Sequence, residues 1–262
     1  MTLADAKMAV FQGMKRSGNH ALIDWIIDNV KGVKHYNNIF PVAKELRAPG
    51  TFTFPIDLAR ARRSKKNHRF GLADFLIGRR RVPIISVEDF PFSRNFVTCD
   101  GRAIYILLVR SAENVFASRI HKAFARDMIA YPREMNDVMR RSIELWADHV
   151  ENFLDASERD DFVGIVFDDW VSNDGYRKTI ATKMGFHEVV PPRQSRAAEG
   201  LGSSFDGYAP VADGAQALLR RRERLDGAKL ELLNKVLSDA AIVNATRRLN
   251  LHRSTRGADR YQ

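Results

Sequence analysis

The chain has 262 residues, 45% of them hydrophobic, and a formal net charge of +10; that is enough apolar material for a full core and too much for global disorder. No apolar run approaches the ~20 residues that span a bilayer, the opening ten residues lack the basic flank and apolar stretch of a signal peptide, and the one cysteine, Cys99, excludes an intramolecular disulfide and a Cys-based zinc site. The expectation is a cytoplasmic protein that attracts anions, whether nucleotides, nucleic acid, acidic glycans or lipid head groups.

Residues 8–11, MAVF, read as a short strand buried on both faces. A glycine-bearing loop, 12–18, leads into a helix over 19–30, whose Leu22, Ile23, Ile26, Ile27 and Val30 share one face. Residues 31–81 are broken by Pro41, Pro49, Gly50 and Pro55 and crowded with charge; they predict an irregular insert with short helices. Its basic run, from Arg60 to Arg81, is either a solvated surface segment or a landing surface for an acidic acceptor or membrane. Residues 82–87 (VPIISV) form a second strand, ending at Glu88 and Asp89, and 103–109 (AIYILLV) form the most hydrophobic one. Helices follow over about 112–130 and 135–156, then a strand over 162–167 and a helix over 172–184 that Gly185 stops. A Gly/Ser loop occupies 200–207, one or two helices fall within 213–241, and the polar tail after about 250 is expected to fray.

Strands alternating with helices predict an α/β chain: one domain of three layers, with a four- to five-stranded parallel sheet covered on both faces. In such sheets ligands lie beyond the carboxyl ends of the strands. The charged or glycine-bearing segments 13–20, 88–89, 110–118 and 168–170 fall there.

GMKRSGNH, from Gly13 to His20, follows the first strand as a phosphate loop does. An ATP-type loop reads G-x-x-x-x-G-K-[ST]. Gly13 and Gly18 keep that spacing, Lys15 and Arg16 add positive charge, and Ser17 adds a hydroxyl. Asn19 and His20 stand where the lysine and the metal-holding hydroxyl would be. The loop can therefore hold a phosphate but has no evident means of holding a metal-bound triphosphate. In LLVRSAENVFASR, Arg110 directly follows the apolar strand and Ser118 lies eight residues on, about two turns into the next helix. An arginine fork and a hydroxyl so placed can converge on one phosphate; the alternative for Arg110 is a surface pair with Glu113.

Together these segments resemble the sulfotransferases that use 3′-phosphoadenosine-5′-phosphosulfate (PAPS). In that family a [KR]-S-G-[TN]-x loop binds the 5′-phosphosulfate, here Arg16, Ser17, Gly18, Asn19 and His20. A strand-end Arg with a Ser eight residues on binds the 3′-phosphate, here Arg110 and Ser118. IVFDDW resembles the family's strand-to-helix segment and puts Phe167 at an adenine-flanking position, with Asp168 and Asp169 free to orient loop backbone. GLGSSFDGY, containing Ser203 and Ser204, lies where a late loop closes over the 3′-phosphate. The resemblance spans about residues 8–208 and implies a P-loop-like sulfotransferase fold, PAPS as donor, PAP as product and no metal. It also implies a general base near the end of the second strand, where many members carry a His two residues before a Pro. Here Glu88 and Asp89 precede Phe90 and Pro91. Neighbouring strand residues face opposite ways, so only one is expected at the site; Glu88 is favoured, with His20 and His121 as alternatives. Ala21 stands where the family often has Trp, and Trp25, one turn on, reads as core. The acceptor hydroxyl is not legible. The charge suggests an anionic glycan or lipid-linked sugar, with contact to a membrane surface, whereas the lack of interleaved aromatics argues against nucleic acid. A nucleotide-kinase-type phosphotransferase and a non-catalytic anion-binding protein are the rival readings.

Overall fold

The computed structural model describes residues 2–3, 5–30, 33–36, 82–94, 103–125, 133–186, 189–191 and 218–258. The basic run over 60–81 and the loop with Ser203 and Ser204 lie outside the described residues.

Five strands form one parallel sheet in the order β2-β3-β1-β4-β5. They are β1 (Met8–Gly13), β2 (Val33–Tyr36), β3 (Val82–Glu88), β4 (Ala103–Val109) and β5 (Phe162–Val166). β1 is central, buried along its whole length. Its register sets Gly13 beside Glu88 of β3 and Leu108 of β4, so the loop leaves the sheet directly between two strand ends.

Among the described residues the α-helices are α1 (Asn19–Asn29), α2 (Ala112–Ala125), α3 (Asp137–Asp155), α4 (Phe167–Ser172), α5 (Asp174–Met184), α6 (Gly227–Leu237) and α7 (Ala240–Ala258). Alternation along β1 and β4 assigns them to two layers. Ala9 and Phe11 pack with Leu22, Ile23 and Ile26 of α1 and with Ile180 and Met184 of α5. Across the sheet, Leu107 and Val109 pack with the α2, α3, α6 and α7 layer. α3 shows why: Met139, Ile143, Trp146, Val150 and Phe153 form one buried stripe, each contributing about 2 kcal/mol. Asn136 caps the helix by accepting from the amides of Val138 and Met139, both at 3.1 Å. Trp146 Nε1 donates to the Arg110 carbonyl at 2.8 Å, fixing α3 to the end of β4.

Three elements depart from expectation. Residues 33–36, read as part of an irregular insert, form the edge strand β2. The strand over 162–167 stops at Val166, and α4 begins at once, one helix earlier than expected. The tail does not fray after 250: α7 continues to Ala258, held where Arg253 pairs with Asp169 and His252 meets the Phe153 ring edge-on. Trp25 is core as expected; it stands edge-on to Trp170 and Phe186 and donates to the Val190 carbonyl at 2.8 Å.

Candidate functional site

The site is built on the turn between β1 and α1. The Ser17 amide donates to the Met14 carbonyl at 3.1 Å, and the chain passes through two left-handed residues, Arg16 at φ +77° and Gly18 at φ +101°. A left-handed non-glycine costs about 1–2 kcal/mol, so its surroundings must impose the shape at Arg16. Part of that comes from Arg110, whose Nη1 donates to the Arg16 carbonyl at 3.1 Å. At Gly18 a Cβ would run into the Phe167 ring. Gly18 is also the N-cap of α1; it supplies no side-chain cap, and the first turn has no acidic residue. The leading amides and the positive end of the helix dipole thus meet partly exposed Lys15, Arg16 and His20, an arrangement that favours an anion.

Both carboxylates at the end of β3 turn onto this loop. Asn19 Nδ2 donates to Glu88 Oε1 at 2.8 Å and to the Met14 carbonyl at 3.1 Å. Asp89 Oδ1 accepts from the Lys15 amide at 2.9 Å and from Arg119 Nη1 at 2.8 Å, and Lys15 Nζ stands 3.7 Å from Oδ2. The expectation that only one of the two would face the site is therefore corrected. The strand ends at Glu88, and Asp89 is left-handed at φ +54°, so alternation has already lapsed.

Arg110 and Ser118 also reach the loop. Arg16 Nε donates to Ser118 Oγ at 3.3 Å. Arg110, 1% exposed, donates to the Arg16 and Leu218 carbonyls and lies 4.7 Å above the Phe167 ring. It does not pair with Glu113, which faces Arg222 at 3.8 Å. Phe167 is 2% exposed, engaged by Gly18 and Arg110. Asp168 staples the β4–α2 junction: it accepts from the Ser111 amide at 2.7 Å, the Ser111 hydroxyl at 3.0 Å and Asn114 Nδ2 at 2.9 Å. The Arg221 amide donates to Asn114 Oδ1 at 3.3 Å, which sets the start of the last segment against the same junction.

The histidines divide. His20 opens α1 at the loop. His35 on β2 places Nε2 3.0 Å from Ser86 Oγ; burial first, and the nearby His20 second, lower its pKa to about 4. His149 is buried on α3 and donates from Nε2 to the Phe90 carbonyl at 2.9 Å; burial holds its pKa below the ordinary value. His121 lies half-buried on α2, three residues after Ser118.

Sequence reasoning missed Arg119, Asn114 and the stretch 218–221. Arg119 left a trace: it occupies a four-residue spacing between the apolar positions Val115 and Ala123, so a cation had to be buried on that helix face.

No protein-family model matches the sequence, and no curated protein matches it. Mouse sulfotransferase SULT7A1 complexed with PAP is similar in structure over 96% of this chain and 89% of its own, at 14% identity and a TM-score of 0.50. The sulfotransferase domain from the curacin biosynthetic pathway aligns over 93% and 97%, at 12% identity and a TM-score of 0.47. Retinol dehydratase in complex with androsterone and inactive cofactor PAP aligns over 91% and 82%, at 12% identity and a TM-score of 0.45. At such identities the likeness is one of fold alone, and it rests on the first of the three: this chain has the α/β fold of the sulfotransferases.

Proposed function

We propose that the protein is a sulfotransferase that moves the sulfuryl group of PAPS to an acceptor hydroxyl. The carrying observation is that Arg16 joins the two phosphate segments: its side chain donates to Ser118 and its carbonyl accepts from Arg110. The donor set suits the ligand, since an uncapped helix start and two cations offer N–H groups and positive charge to a phosphosulfate.

In the transfer the sulfur–oxygen bond to the 5′-phosphate breaks, a sulfur–oxygen bond to the acceptor forms, and the acceptor proton leaves. Lys15, Arg16 and the first amides of α1 stabilise the charge that grows on the departing phosphate. Glu88 receives the proton, and Asn19 orients it. Arg110 and Ser118 take the 3′-phosphate, which requires phosphate oxygen to replace the Leu218 carbonyl on the Arg110 guanidinium. For the acceptor we favour a hydroxyl on a carbohydrate or glycolipid, an anionic glycan or lipid-linked sugar, on the strength of the basic run over 60–81. Among the described residues no helix is long and apolar enough to cross a membrane.

Thermal shift of the whole chain with PAP, ATP or ADP, each with chelator and with Mg²⁺, tests the donor. PAP at a hundredfold its Kd should stabilise by about 2.7 kcal/mol, equally in chelator. A shift with ATP and Mg²⁺ but none with PAP would overturn the reading in favour of a phosphotransferase.

A further inference from the structure

Two side chains hold the backbone of Lys15, one at its amide and one at its carbonyl. Asp89 Oδ1 accepts from its amide at 2.9 Å, and Arg119 Nη1 donates to its carbonyl at 3.3 Å. The two also close on each other at 2.8 Å. Each is anchored elsewhere. The Asp89 amide donates to the Gly13 carbonyl at 3.3 Å. Arg119, 4% exposed, donates from Nη2 to Ser142 Oγ at 3.2 Å, and that hydroxyl donates to the Val138 carbonyl of α3 at 2.9 Å. The two successive peptide units that flank Lys15 are thereby tied to the end of β3, to α2 and to α3. The next residue is Arg16, held in the left-handed region at φ +77°. Fixing the peptide before it removes much of the loop's freedom to relax to a less strained shape.

We propose that Asp89 and Arg119 are positioning residues: as one unit they clamp the Lys15 backbone at its amide and its carbonyl so that Arg16 and the start of α1 present a preformed anion site. Asp89 is on this account part of the frame and not the proton acceptor. The clamp itself is a property of the loop; only its consequence for turnover rests on the sulfotransferase reading.

The variants Asp89→Asn, Asp89→Ala, Arg119→Lys, Arg119→Ala and the double alanine variant separate the readings. Hydrogen exchange at the Lys15 amide is read without ligand, PAP affinity by calorimetry, and turnover with PAPS. Asparagine retains a carbonyl oxygen for the Lys15 amide, so Asp89→Asn should lose less than about tenfold in each readout. Asp89→Ala and Arg119→Ala should each speed Lys15 exchange and weaken PAP by about tenfold or more, and the double variant should be little worse than either, as expected of groups acting as one. Arg119→Lys keeps the charge but not the fork; it should fall between wild type and alanine, and it reports the same contrast if Arg119→Ala fails to fold. A loss of kcat in Asp89→Asn beyond about a hundredfold with PAP affinity intact would make Asp89 the base and overturn the proposal. Unchanged Lys15 exchange in Asp89→Ala would overturn it as well. Should wild type bind no PAP, the sulfotransferase reading fails, yet Lys15 exchange still decides the clamp.

Discussion

Glu88 and Asp89 are adjacent acids with different surroundings. Asp89 is committed to Lys15 and Arg119. The carboxylate of Glu88, a residue nine-tenths buried, is hydrogen-bonded by Asn19 alone among the described residues. A glutamine at 88 can still accept from Asn19 but cannot take a proton. Glu88→Gln should therefore keep PAP affinity within about threefold while turnover falls by about a hundredfold or more, the usual span for a lost general base. Equal losses in affinity and turnover would make Glu88 structural. Much of this site could be read along the chain, because Gly13, Arg16 and Gly18 lie in one local turn with its own spacing. The rest is long-range. Asp89 breaks the alternation of β3 through a left-handed backbone that nothing in VEDFP announces, and the Leu218 carbonyl reaches Arg110 from 108 positions away.

The junction of α1 with α4 is the tightest point between elements at the site. Gly18 closes β1's loop, and the Phe167 ring fills the place where its side chain would stand. Gly18→Ala must accept a strained backbone at φ +101° and push the ring aside. We expect a loss of about 2–4 kcal/mol in denaturant unfolding from the two effects together, accompanied by weaker anion binding. Loss of stability alone would mean that α1 moves without disturbing its leading amides. The strands that sequence made plain were β1, β3, β4 and β5, all near-continuous apolar runs as buried parallel strands require. β2 was hidden because VKHY is short, half polar and set at the sheet edge. α7 lies almost wholly beyond the helices expected within 213–241 and was missed for another reason: its last turns carry no apolar stripe and are fixed by Arg253 on Asp169 and His252 on Phe153, contacts that propensity does not encode.

At the scale of the whole molecule, His35 and His149 should set the acid limit. Both have folded pKa values below the ordinary 6.5, His35 at about 4. The unfolded chain takes up protons below pH ~6.5 that the folded chain refuses, so stability is full above that pH and falls as pH drops toward 4. His35 alone should remove about 1.5 kcal/mol between pH 6.5 and 5. Urea unfolding should show that decline, and His35→Gln, which can keep a hydrogen bond to Ser86 without titrating, should flatten it; an unchanged slope would refute the assignment. The sheet order bears on how the molecule is made. β1 is the first of this sheet's strands in chain order, yet its neighbours are β3 and β4, and the second of these is complete only at Val109. At typical elongation rates the apolar MAVFQG segment waits about 5–20 s for its last partner. During that interval the sheet's future centre lacks the strand that will cover its second edge, which leaves an apolar segment open to pairing with other chains.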